Sequence, residues 1–190
     1  MKNLPMVLSL RQQNEVSIII LKKRLQTVLP MAMREAGIDM WLVICQEDDY
    51  DPVFKTMVPM RVWAPILQML IFYDRGLENG IECINLSMTD LGNLFEKPWS
   101  GRYHTEQWAL LPKLIAERDP KNIGINIGSV QWAAGGLTHN LYGQLLEALP
   151  EIYSKRLVSA EAACTRWLET LTDEELQFYP HVVRLTHQII

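Results

Sequence analysis

Apolar residues recur at three- and four-residue steps over residues 15–36, which predicts a long amphipathic helix. Pro30 lies inside this pattern and lacks a backbone donor, so we expect a kink or a restart there. Gly37 ends the pattern, and residues 40–45 form an unbroken apolar run, which is typical of a strand buried on both faces. The chain therefore starts with a helix followed by a buried strand.

The remaining pattern alternates short apolar runs with helical spacing. Two strands on either side of Asp74-Arg75-Gly76 predict a hairpin, and Thr138 and Ser159 stand where helix caps are expected. The order of elements indicates a three-layer α/β/α domain with a mixed five-stranded sheet. The predicted strands after the first are 67–73, 81–86, 122–127 and 156–158, and a further helix spans 106–118.

The last segment, 172–190, reads as an amphipathic helix that begins with a capping box at Thr172 and Glu175. Its later apolar residues cannot all turn inward on one helix. We therefore expect the chain to continue into a larger protein, and we expect self-association as a symmetric homodimer through this surface. These apolar residues are Val182, Val183, Leu185, Ile189 and Ile190.

Composition favours one folded domain: 190 residues, of which 48% are hydrophobic and 21% charged. A net charge of -4 argues against nucleic acid and against a membrane as partners. Residues 1–10 are too short and too broken for a signal peptide. Cys45, Cys83 and Cys164 are odd in number and flanked by apolar residues, as reduced, buried thiols are. We expect a cytoplasmic protein.

Motifs for catalysis or metal binding are absent from the sequence. The four histidines, His104, His139, His181 and His187, have no metal-ligand spacing among themselves or with carboxylates. The glycines of residues 124–136 fit neither the dinucleotide fingerprint nor the P-loop. The sequence therefore predicts no catalytic residue, no metal ligand and no cofactor in this chain.

An acidic loop, residues 47–52, follows the first strand, where open α/β sheets usually place ligand-facing loops. One interpretation is an ordinary solvated loop. The other is a substrate-facing wall formed by Glu47, Asp51, Arg61 and Trp63, with a guanidinium and a ring suited to a peptide carboxylate and an apolar side chain. On that interpretation we expect Asp51, Arg61 and Trp63 on one solvent-reachable rim.

Motifs in a fixed order along nearly the whole chain resemble the N-terminal domain of the creatinase/prolidase/aminopeptidase P metallopeptidase family. The first group begins with Lys23-Arg24-Leu25 and ends with Asp51-Pro52-Val53, and the second leads into a helical linker. The matching segments are 23–25, 29–30, 33–34, 37–43, 47 and 51–53, then 135–138, 145–150, 158–161, 167–170 and 173–176.

The resemblance implies a sheet with a ribonuclease H-like motif in a domain of residues 1–170, with 171–190 starting a linker helix. In that family a separate catalytic domain holds two divalent metals and hydrolyses Xaa-Pro or related C–N bonds, and no ligand of that kind transfers to this chain. The implied role is a non-catalytic domain that shapes the substrate cleft and dimer of a complete Xaa-Pro peptidase. The alternative is a stand-alone peptide- or protein-binding module of the same fold that has lost catalysis.

Overall fold

Five strands form one mixed sheet in a computed structural model that describes residues 7–63 and 65–190. Their order is β3-β2-β1-β4-β5; β2 is antiparallel to both of its neighbours, and β4 is parallel to β1 and β5. The mixed five-stranded sheet and the β2–β3 hairpin confirm the prediction from the sequence. The strands are β1 (Met40–Gln46), β2 (Leu67–Asp74), β3 (Ile81–Asn85), β4 (Ile123–Ile125) and β5 (Leu157–Ser159).

Helices cover both faces of the sheet, which confirms the three-layer α/β/α fold. Side chains alternate along β1: Trp41 and Val43 pack on one face, in the cluster that includes buried residues of α1 and α6, whereas Leu42 and Ile44 pack on the other with α3 and α4. The helices are α1 (Leu10–Glu35), α2 (Phe54–Met57), α3 (His104–Arg118), α4 (His139–Ala148), α5 (Glu151–Ser154), α6 (Glu161–Glu169) and α7 (Asp173–Ile189).

The first helix runs from Leu10 through Pro30 to Glu35 without a restart, so of the two outcomes expected at Pro30, a kink or a restart, the restart does not occur. An interior proline costs about 3 kcal/mol. Buried neighbours on both sides of it, Leu29 and Met33, hold this part of α1 in the core, and their burial offsets that cost. The helix also starts earlier than predicted because Ser9 and Gln12 form a capping box.

Two further predictions shift in detail. The fourth strand ends at Ile125 rather than 127, because the Ile127 amide turns back to the Ile125 carbonyl at 2.8 Å. The N-cap of α6 is Ala160, although the Ser159 hydroxyl still accepts from the Glu161 amide at 3.1 Å. The predicted caps Thr138 and Thr172 are confirmed. Residues 1–6, part of the stretch considered for a signal peptide, lie outside the described residues.

Candidate functional site

The loop that follows β1 and the loop that follows β4 leave the sheet at the same end of these parallel strands. Gln46 at the end of β1 pairs with Leu67 at the start of β2, so the connection between them begins and ends there. The parallel strand β4 also ends on this side, where Asn126 follows it. The residues that the sequence predicts as substrate-facing all belong to the 47–66 connection, so the fold places them at one edge of the sheet.

Glu47, the first residue of that connection, is hydrogen-bonded to Ile66, its last residue. Its amide donates to the Ile66 carbonyl at 2.8 Å, and its Oε2 accepts from the Ile66 amide at 3.3 Å. The side chain is half-buried. Glu47 therefore fixes the two ends of the loop against each other.

Asp51 is 0% exposed, so the expectation that it lies on a solvent-reachable rim is wrong. Its Oδ1 accepts from the amides of Val53 and Phe54 at 2.7 and 3.1 Å, and its Oδ2 accepts from Asn126 Nδ2 at 2.8 Å. Burial raises the pKa of this carboxyl, and the three hydrogen bonds oppose the rise. The carboxylate starts α2 and joins it to the end of β4, where no ligand can reach it.

The buried network continues beyond Asp51. Asn126 Oδ1 accepts from Trp41 Nε1 at 2.7 Å and lies 3.3 Å from Cys164 Sγ. A Cβ on Gly136 would lie 1.9 Å from Asp51 Oδ2, which explains why the second residue of the Gly135-Gly136 turn is glycine. The glycines of this loop make room for a carboxylate of the chain itself.

Arg61 is exposed and lines a cleft of about 260 Å³, which Phe54 links to this network through its amide. Its backbone is in the left-handed region, with φ 63°. The cleft also contains Lys55, a second exposed cation, whose Nζ lies 5.1 Å from the ring centroid of Tyr50. The other lining residues are Phe54, Val58, Pro59 and Val62.

Aromatic rings form one side of the cleft. Tyr50 and Phe54 stack with centroids 5.8 Å apart and planes at 15°. Phe54 is buried, so Tyr50 is the ring that can face a ligand, and two cations beside it suit an anionic group attached to a flat or apolar body. Sequence reasoning missed Lys55, which stands four residues after Asp51 on the short helix α2, because a helix of four residues leaves no periodic signal.

Trp63 is 63% exposed but does not line this cleft. Its carbonyl accepts from the Thr89 hydroxyl at 3.1 Å, which attaches the 58–66 segment to the loop after β3. The structure thus brings Arg61 together with Lys55, buries Asp51 in hydrogen-bond contact with the cleft residue Phe54, and leaves Trp63 exposed outside the cleft.

No family model, curated protein or solved structure matches this chain. Within residues 7–63 and 65–190, no three His, Cys, Asp or Glu side chains are grouped as metal ligands would be. None of the helices in that part of the chain combines the length and apolar character needed to cross a membrane.

Proposed function

We propose that this chain is a non-catalytic domain of an Xaa-Pro peptidase-like enzyme, and that its Arg61 cleft forms a wall of the peptide site. The cleft is the observation that carries the proposal: Arg61 and Lys55 stand beside the stacked rings of Tyr50 and Phe54 at the loop edge of the sheet. The family resemblance and the α/β/α fold agree with such a role.

The chemistry of the cleft favours a peptide carboxylate. A guanidinium can hold a carboxylate through two parallel hydrogen bonds, and a nearby ammonium adds a second positive charge. The half-buried ring of Tyr50 offers a surface to a proline ring or an aromatic side chain, and the buried ring of Phe54 supports it from within. At about 260 Å³ the cleft accommodates one terminal residue rather than a long segment.

The alternative function is a stand-alone peptide-binding module, which the same open cleft supports. In that case the isolated chain binds peptides by itself, whereas a wall of a larger site contributes only part of the affinity. Reading the coding sequence beyond Ile190 distinguishes the two. An in-frame continuation with metal-ligand acids supports the enzyme domain, and an immediate stop supports the module.

The cleft is tested by NMR titration of the labelled chain with Ala-Pro-Phe, with either a free or an amidated C-terminus. We expect shift changes in residues 50–62 with the free acid, weakened several-fold by the amide and by Arg61→Gln. Arg75→Gln is the matched control, because Arg75 is an exposed arginine in the β2–β3 hairpin. Equal effects of Arg61→Gln and Arg75→Gln, or shifts confined to other residues, would contradict the proposal.

Catalysis is tested separately. The resemblance transfers no metal ligand to this chain, so we expect no hydrolysis of Xaa-Pro peptides and no stoichiometric metal. Elemental analysis of protein purified without chelator, followed by an assay with added manganese, cobalt or zinc, measures both. One tightly held ion per chain would contradict the expectation of no metal site, and turnover that depends on added metal would show that the chain is itself the enzyme.

A further inference from the structure

A second cleft, of about 320 Å³, adjoins the Arg61 cleft. Lys55 and Val58 line both, so the two clefts meet at these residues. On its far side the second cleft is lined by Leu21 of α1 and by Leu171, which lies between α6 and α7. A ligand that extends from the Arg61 cleft past Lys55 can therefore enter the second cleft.

The buried charge of the second cleft is neutralised within the chain. Arg24 is 7% exposed, and its Nη1 donates to Glu175 Oε2 at 2.8 Å and to the Thr170 carbonyl at 2.7 Å. Its Cζ lies 4.3 Å from the ring centroid of Trp167. Arg24 and Glu175 are therefore engaged with each other, and Lys55, at the border with the Arg61 cleft, is the remaining charged residue of the lining.

The hydroxyl groups of the second cleft are satisfied in the same way. Ser17 donates to the Asn14 carbonyl at 3.0 Å. Thr56 donates to the Val53 carbonyl at 2.7 Å and accepts from Trp167 Nε1 at 2.7 Å. A polar ligand group that left water for this cleft would lose hydrogen bonds without gaining an equal number.

Apolar surface is what the second cleft offers to a ligand. Met60, Leu168 and Leu171 line it and are 44%, 37% and 45% exposed, and Ile20 of α1 lines it from the opposite side. Covering such surface with an apolar side chain is favourable, and a methionine adapts its shape to the group that it contacts. The second cleft therefore suits an apolar side chain.

The sizes of the two clefts determine which residue of a peptide reaches the second one. Spaces of about 260 and 320 Å³ are each about 8 Å across, so adjoining clefts have centres about 8 Å apart. An extended chain advances at most about 3.5 Å per residue, so one residue falls short and two residues span about 7 Å. A terminal residue in the Arg61 cleft thus places the side chain two positions earlier in the second cleft.

We propose that the second cleft binds an apolar side chain two positions before the C-terminus of a peptide whose terminal carboxylate is held by Arg61 and Lys55. This inference rests on the proposed function, and it adds the class of peptide that the site prefers. In Leu-Pro-Phe, for example, the phenylalanine carboxylate lies at Arg61 and the leucine side chain contacts Met60 and Leu168.

The preference is measured by NMR titration of the chain with Ala-Pro-Phe, Leu-Pro-Phe and Asn-Pro-Phe, all with free C-termini. Leucine has three more carbon atoms than alanine, so we expect Leu-Pro-Phe to bind about tenfold more tightly and to shift residues 168–171 as well as 50–62. Asparagine has the shape of leucine without its apolar surface, so Asn-Pro-Phe should bind no more tightly than Ala-Pro-Phe. Equal affinities of the leucine and asparagine peptides would overturn the proposal.

Leu168→Gln changes the second cleft without changing a residue of the Arg61 cleft. We expect it to reduce the advantage of Leu-Pro-Phe over Ala-Pro-Phe to less than about twofold. Leu146→Gln is the matched control, because Leu146 is 39% exposed on α4, which packs on the other face of the sheet. Circular dichroism checks that both variants fold. A leucine advantage that survives Leu168→Gln would place the leucine elsewhere and overturn the proposal.

Failure of this inference and failure of the proposed function give different results. If neither Ala-Pro-Phe nor Leu-Pro-Phe shifts residues 50–62, both are overturned. If Ala-Pro-Phe binds through Arg61 but leucine adds nothing, the proposed function stands and this inference is overturned. Leu-Pro-Phe-amide that binds as tightly as the free acid would show that apolar groups bind without the carboxylate, which also overturns it.

Discussion

Asn126 donates its Nδ2 hydrogen to Asp51 Oδ2 at 2.8 Å and accepts at Oδ1 from Trp41 Nε1 at 2.7 Å. One amide therefore satisfies a buried acid and a buried indole from two different parts of the chain. This amide joins the loop after β1 to the end of β4, and Phe54, whose amide also donates to Asp51, lines the candidate cleft.

Replacement of Asn126 by alanine should lower the free energy of unfolding by about 2–4 kcal/mol, because Asp51 and Trp41 both lose a partner without gaining water. Urea denaturation followed by fluorescence measures the change. Asn140→Ala is the control: Asn140 is exposed in the first turn of α4, and its loss should cost no more than about 0.5 kcal/mol. Equal costs for the two variants would contradict the structural role of Asn126.

The ion pair between Arg118 of α3 and Glu82 of β3 should give stability that depends on pH. Two hydrogen bonds of 2.6 and 2.7 Å join the side chains, and this pairing lowers the pKa of Glu82 below its ordinary 4.5. The stabilisation is complete above pH 4.5 and is lost as pH falls through the lowered pKa. We expect Glu82→Gln to cost about 1–2 kcal/mol at pH 7 and less in acid.

Glu117→Gln is the control for that pair, since Glu117 also contacts Arg118, at 3.4 Å, but is 67% exposed. Thermal unfolding of both variants and the wild type from pH 2 to 7 separates the contributions. A Glu82→Gln effect that stays constant across this range would show that packing, rather than charge, holds the two elements together.

Glu161 should order the loop that follows β4. Its carboxylate accepts from the consecutive amides of Ser129, Val130 and Gln131, at 3.1 and 2.8 Å for the first two, and these bonds lower its pKa. We expect Glu161→Gln to speed hydrogen exchange of those three amides, while Glu169→Gln leaves them unchanged. Unchanged exchange in both variants would mean that the neighbouring turns hold the loop by themselves.

The three thiols should be unreactive in the folded protein. Burial raises the pKa of Cys45 and of Cys83 to about 12, and it raises that of Cys164 as well. At pH 8 almost no thiolate is present, so we expect negligible reaction with a disulfide reagent over minutes and three equivalents after denaturation. Rapid reaction of one thiol in native protein would identify a local opening, with Cys83, the half-buried one, as the first residue to examine.

The fold was predictable because its strongest signals are local. The apolar run of β1 and the three- and four-residue spacing of α1 lie within the elements they predict. The turn residues at Asp74 likewise indicate the hairpin directly. The restart considered at Pro30 does not occur, because the core packing of Leu29 and Met33, which no local pattern shows, offsets the cost of the proline.

The candidate site was predictable only in part. The composition of an acidic loop predicts that its carboxyl groups are exposed to solvent. Asp51 is instead buried, because it accepts hydrogen bonds from Val53, Phe54 and the distant Asn126. The last of these depends on the pairing of β4 with β1, which no local pattern shows. Lys55 was missed for a related reason, since a four-residue helix leaves no periodic signal.

The strand order also sets an order of folding. β2 and β3 are joined by a short turn, and β1 is separated from β2 by the 47–66 connection, whereas β4 reaches its place beside β1 only after β2, β3 and the whole of α3 have intervened. Closing that long loop costs chain entropy before any contact is gained. Pulse-labelling during refolding should show the amides of β1, β2 and β3 protected before those of β4 and β5; simultaneous protection would indicate a single concerted nucleus.

Since Asn126 arrives with β4, the carboxylate of Asp51 spends the early stage of folding without its side-chain partner, and the candidate cleft is among the last parts of the molecule to acquire its shape.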